Sequence, residues 1–311
     1  MIGGSSHRTR SVSLIVAAAF AFYTDVVVHA AAGDPAALPA ATTWEHLIDQ
    51  AKAAGLPTAF LRRIPADFVT LEFDDLHAYA AEYHPEDHRL VLNQTLSFNA
   101  AGGFLKPLSN LAPREVGTLY HELFHAYMDV IVSNAGSSAQ SRHLADFADD
   151  RRQCRYQHVM ITPILQRKTS TEVRFLTDRE SWEALNETWA VFIGWAIWTT
   201  VEARRDPMKR RARDSVIRAQ FRTRLAKADR EGDLVGYYEP EQDEERAIAR
   251  KRYLASSHRI TPSEVRILMT DVLEFPQLEA EHVAKSMEQR RVLLPGAPSC
   301  RLDGDDAASP P

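Results

Sequence analysis

His121-Glu122-Leu123-Phe124-His125 reads H-E-x-x-H, and the rest of the chain is best understood outward from it. Residues four apart on a helix share a face, so His121 and His125 can direct two imidazoles at one ion with Glu122 beside them. That is how a helix supplies two zinc ligands and a general base to a metal-dependent hydrolase. Chance alone would give about 0.03 such matches in a chain of this composition. The surroundings are helical. Pro113 suits a first helical position because its missing N–H would be unsatisfied there in any case. Val116, Leu119, Tyr120, Leu123, Phe124, Tyr127 and Ile131 then recur at core-facing spacing. The segment 133–136, Ser-Asn-Ala-Gly, is a plausible stop.

At 311 residues the chain is long enough for a sizeable core. Its net charge of -5 gives no reason to expect nucleic acid as a partner. His7, Arg8 and Arg10 precede an apolar run from Leu14 to Tyr23, and Ala30-Ala31-Ala32 follows. This reads as a signal peptide over 1–32, the run being too short to span a bilayer. The expected mature chain is periplasmic or secreted, without a transmembrane segment. A metallohydrolase domain is expected over 33–292 and a disordered tail over 293–311, where Pro, Gly, Asp and Ser dominate. Cys154 and Cys300 are the only cysteines; they form the one disulfide the chain can make or stand as two thiols.

Along the chain, Thr42 to Glu45 reads as a capping box that opens a helix to about Ala54. Phe68 to Phe73 alternates like a strand. Tyr79–Tyr83 and Arg89–Leu92 flank a turn and read as a hairpin. Elements between Ala135 and Arg174 are not placed by the pattern. Thr177 to Glu180 is a second capping box, opening a helix to about Arg205 that carries four of the five tryptophans. Trp189 to Thr200 is apolar nearly all round, which marks a central buried helix. Arg204 to Arg230 holds eleven Lys/Arg, a solvated helix face or an acid-binding surface. Tyr237 to Pro240 reads as a loop, Thr261 caps another helix, and Pro276 opens the last. The fold class is α+β, mainly helical, with a small sheet before the His121 helix and a buried Glu-bearing helix after it.

A catalytic zinc site needs a third protein ligand and an open position. The tryptophan-rich helix carries Glu183 and Glu187 on one face, and a carboxylate there is costly without a compensating charge. Glu187 is the expected ligand. Glu183 is expected behind it, orienting a histidine or serving as an alternative ligand. Asp129 is the competing third ligand, although it lies more than a turn beyond the histidines.

Taken together, His121-Glu122-x-x-His125 and Asn186-Glu187-x-x-Ala190 resemble the gluzincin metallopeptidases. Leu185 to Ala190 is similar to the L-N-E-G-F-A segment of M1 aminopeptidases. The resemblance covers roughly 113–205 and implies a zincin-like peptidase that binds Zn2+ through His121, His125 and Glu187. In it, Glu122 activates a metal-held water against a peptide or protein substrate. It departs from M1 in the 61 residues between His125 and Glu187, in the lack of a G-x-M-E-N segment, and in Val191, where thermolysin-like chains carry Asp. By resemblance, Arg89–Leu92 is the expected substrate-pairing edge strand. Tyr237, Tyr238, His258 and His143 are the candidate oxyanion donors, with nothing to choose between them. Two other readings stay open: a non-catalytic envelope protein with a closed structural zinc site, and a binding module working through the 204–230 helix.

Overall fold

The computed structural model describes residues 40–77, 80–98, 104–133, 138–163, 170–205, 214–290 and Cys300. The expected signal peptide, and the expected tail apart from Cys300, lie outside these residues, as does most of the stop after the H-E-x-x-H helix.

The architecture is mainly helical with small sheets, as the pattern of the chain predicts. Helix α1 (Ala40–Ala53) starts two residues before Thr42, so the helix begins earlier than the expected cap position. Strands β1 (Thr70–Asp74), β2 (Ala81–His84) and β3 (Arg89–Asn93) form one sheet in the order β1-β3-β2. The hairpin is as expected: β2 and β3 are antiparallel, with Ala81 opposite Leu92, and His88 turns the chain at φ 52°. β1 joins β3 in parallel. This corrects one expectation: Arg89–Leu92 lies in the central strand β3, and β1 and β2 are the edges. Alternation alone finds strands without fixing their order.

Helix α2 (Pro113–Ser133) carries the H-E-x-x-H, and α4 (Asp178–Arg205) carries Glu187. They pack on each other more extensively than any other pair of elements. Val116, Leu119, Tyr120, Leu123 and Phe124 from α2 are fully buried, as are Leu185, Trp189, Phe192 and Ile193 from α4. The box that opens α4 is formed: Thr177 N–H donates to Glu180 Oε2 at 3.0 Å, and Glu180 N–H to Thr177 Oγ1 at 3.2 Å. The stretch left unplaced by the sequence holds α3 (Ala139–Arg151), a π-turn over Arg152–Tyr156, and the antiparallel pair β4 (His158–Ile161) and β5 (Glu172–Phe175). A π-turn and four-residue strands are too short for periodicity to register.

The C-terminal half wraps α4. It comprises α5 (Asp214–Glu231), β6 (Tyr237–Tyr238), α6 (Asp243–Ile248), β7 (Arg252–Tyr253), α7 (Pro262–Asp271) and α8 (Gln277–Arg290). Thr261 caps α7 through a complete capping box. Under α4, Arg155 and Glu264 pair at 2.5 Å with both side chains buried, and Tyr156 Oη donates to the same carboxylate. Cys154 and Cys300 are joined, with Cα atoms 5.7 Å apart, tying the C-terminal region to the π-turn. No helix among the described residues is long and apolar enough to cross a membrane.

Candidate metal centre

Two glycines set the centre. Gly117 of α2 faces Gly194 of α4 so closely that a Cβ on Gly117 would lie 2.8 Å from Gly194 O, and one on Gly194 would lie 2.9 Å from Gly117 O. Backbone touches backbone there, which only glycine permits. Arg114, one turn before Gly117, lies over the Trp198 ring at 5.2 Å, one turn after Gly194. The helices are therefore antiparallel, and moving on along α2 means moving back along α4. One turn beyond the glycine contact stands His121, two turns beyond stands His125, and Glu187 meets both.

The three side chains converge. His121 Nε2 and His125 Nε2 are 3.0 Å apart. Glu187 Oε2 lies 3.4 Å from His121 Nε2, and Oε1 lies 3.5 Å from His125 Nε2. Among the described residues this is the only group of His, Cys, Asp or Glu side chains placed to hold a metal ion. Glu187 Oε2 is buried without a hydrogen-bond partner, its approach to His121 being off the line that such a bond needs. Ligands set tetrahedrally at about 2.0–2.1 Å from zinc stand about 3.3 Å from one another, which these separations bracket. Two imidazoles and a carboxylate are also a donor set that zinc accepts. The residues fit a metal ion; its identity rests on that chemistry.

The electrostatics agree. Burial lowers His125 to about 4, so its ring is neutral near pH 7 with a lone pair to give. Burial also disfavours the charge on His121, but the neighbouring Glu187 and Glu122 carboxylates outweigh it and raise its pKa. Burial works against ionisation of Glu187 too, yet the two imidazoles hold it at about 2. A metal ion would take the place of the proton these groups share. The Ala190 backbone lies beside His121 and favours its charged form. Asn186 lies beside His125, and its buried Oδ1 has no hydrogen-bond partner. Neither neighbour is the expected Glu183. That side chain turns to the Glu239 backbone amide, and burial lifts its pKa to about 7.

Glu122 stands at the rim, with Oε1 3.9 Å from His121 Nε2. Its other oxygen accepts the backbone N–H of Tyr83, from edge strand β2, at 2.9 Å. Burial pushes its carboxyl up to about 7; Glu187 adds to the rise, while His121 and the Tyr83 amide oppose it. Asp129 belongs to a separate network, accepting from Tyr83 Oη at 2.8 Å and lying 3.1 Å from His88 Nδ1. It is therefore outside the metal group, and Glu183 is too.

Of the four candidate donors, one is at the centre. Tyr237 neighbours Glu187, and burial together with that carboxylate strongly raises its pKa. It comes not from a loop but from β6, which pairs with β7 in the register Tyr237 to Tyr253. Gly236 seats this strand, since a Cβ there would lie 2.5 Å from Thr188 N and 2.9 Å from Glu187 C. Tyr238 points into the core, His258 is buried against the backbone of His158 and Met160, and His143 is exposed beside Asp271. Strands of two residues leave no alternation to read, so the sequence offered Tyr237 as a candidate without showing the strand that carries it. Comparison of the chain with family models, curated proteins and solved structures finds no match.

Proposed function

We propose that the chain is a zinc-dependent metallopeptidase, with His121, His125 and Glu187 holding the ion. The observation that carries this reading is the meeting of an unpartnered buried carboxylate oxygen with two imidazole nitrogens, one residue away from a raised-pKa glutamate. When bound, zinc lowers the pKa of water toward about 7 and polarises a carbonyl. The chain's own residues do the rest. Glu122, with a pKa of about 7, takes the proton of the attacking water and passes it to the leaving amine; a group balanced near neutrality serves both steps. Tyr237 donates a hydrogen bond to the carbonyl oxygen as charge develops on it.

Edge strand β2 supports a peptide as substrate. Its Tyr83 amide points away from β3 and toward Glu122, so an extended segment laid along β2 runs past the base. The histidine, glutamate and Asn-Glu-x-x-Ala spacings make the site gluzincin-like in this reading. The apolar leader and the Cys154–Cys300 bond favour an exported protein.

A closed structural site draws less support, because three ligands gather here among the described residues and their side chains are 11–18% exposed. The basic-helix reading is weakened by pairing along α5: Arg224 with Glu202, Arg218 with Glu279, and Lys227 with Glu231. Glu122→Gln tests the proposal. It should keep zinc and lose at least about 100-fold in peptide hydrolysis. A variant hydrolysing at the wild-type rate removes Glu122 from the chemistry.

A further inference from the structure

Lys251 is placed against Tyr237 by strand register. Tyr237 lies opposite Tyr253, so Lys251 is its diagonal neighbour on the same face of the β6–β7 pair. Its Nζ donates to Tyr237 Oη at 2.6 Å and lies 4.0 Å from the ring centroid. Tyr253 packs on the same ring at 5.6 Å. The phenol is thus held at its ring and at its oxygen.

An ammonium group has donors only, while a phenol oxygen has one O–H and accepts through its lone pairs. Lys251 therefore occupies an acceptor position on Tyr237 and cannot take its proton. That proton is left for the other side, where the Glu187 carboxylate of the metal group is the neighbouring charge. A cationic donor on the oxygen also polarises the O–H and strengthens its bond to an anionic acceptor. We propose that Lys251 is a positioning residue that fixes the Tyr237 hydroxyl as a donor aimed into the site and strengthens it against charge developing on substrate. This rests on the metallopeptidase reading and extends it to a residue that touches neither metal nor substrate.

The test is a double-mutant cycle on the zinc-loaded full chain, using Tyr237→Phe, Lys251→Met, the double variant and Lys251→Arg. Zinc content, kcat and KM are measured on a peptide that the wild type hydrolyses. Affinity for a phosphinic peptide, a tetrahedral mimic, is measured by calorimetry. Loss of the Tyr237 donor should lower kcat by about 100- to 1,000-fold. Lys251→Met should lower kcat and phosphinate affinity together by about 10- to 100-fold, with zinc content and KM unchanged, and Lys251→Arg should restore part of the loss. The double variant should be no worse than Tyr237→Phe if the role of Lys251 runs through that hydroxyl. If Lys251→Met melts early, Lys251→Gln carries the same comparison. Losses that multiply in the double variant, or a wild-type kcat in a folded Lys251 variant, overturn the role of Lys251 alone. A zinc-loaded wild type that hydrolyses no peptide overturns the metallopeptidase reading, and the assignment with it.

Discussion

Replacing Gly194 by alanine adds one methyl group where α2 and α4 touch. Helix propensity favours the change by about 1 kcal/mol, since alanine is a better helix former than glycine. Packing opposes it. The new Cβ would stand 2.9 Å from Gly117 O and 3.2 Å from His121 Cβ, against ordinary contacts of 3.4 Å or more. The oxygen is backbone and cannot swing aside, so the helices must part by about half an ångström, and overpacking of this kind costs about 1–3 kcal/mol. The balance is a net loss of up to about 2 kcal/mol in the metal-free chain. The larger effect is on the metal. His121 rides on α2 and Glu187 on α4, and a metal tolerates only about 0.2 Å in each ligand distance. Zinc affinity should fall about 10- to 100-fold, the range seen when the support of a ligand is disturbed. Competition with a chromophoric chelator reads the affinity, and thermal melting with and without metal reads the stability. A variant that binds zinc within twofold of wild type and melts higher would refute the idea that the glycine contact sets the ligand spacing.

Two further predictions concern pH. Burial opposes ionisation of Glu264, but Arg155 and the Thr261 cap hold its pKa below the ordinary carboxylate value, so its stabilisation is complete above that value and is lost as pH falls through the depressed one. Glu264→Gln should therefore cost about 3–5 kcal/mol near pH 7, with a smaller penalty in acid, when melting is followed across pH; an equal penalty at every pH contradicts the pairing. Glu183 has the opposite sign. Its folded pKa of about 7 exceeds the ordinary 4.5, so the native state holds the extra proton and stability falls as pH rises across that window. In chelated protein, Glu183→Gln should melt higher than wild type at pH 8 and about equally at pH 4, and a difference that does not vary with pH contradicts the burial argument.

Much of the centre was legible because its chemistry is local in sequence. His121, Glu122 and His125 share one helical face, and Glu187 stood out as a carboxylate on an apolar, tryptophan-rich helix. The hairpin and both central helices follow from alternation, capping boxes and core spacing. What escaped depends on long-range approach. Gly117 and Gly194 look like ordinary helix-weakening residues until the two helices meet. Tyr237 was named only as one of four candidate donors, because its strand, like the one that Lys251 precedes, is too short to alternate. The order β1-β3-β2 turns on which strand joins in parallel, which hydrophobic pattern does not specify. Glu183 and Asp129 were placed near the metal by sequence distance, but each found a nearer partner, the Glu239 amide and the Tyr83 hydroxyl.

The central claim is that one metal ion is held by side chains from two helices. The most direct test is zinc stoichiometry of the purified mature chain beside Glu187→Ala, after equal exposure to zinc and to a competing chelator. The account predicts about one zinc per chain in the wild type, lost or greatly weakened in the variant. A wild type that binds no zinc on reconstitution, or a variant that binds it equally well, would contradict the three-ligand centre.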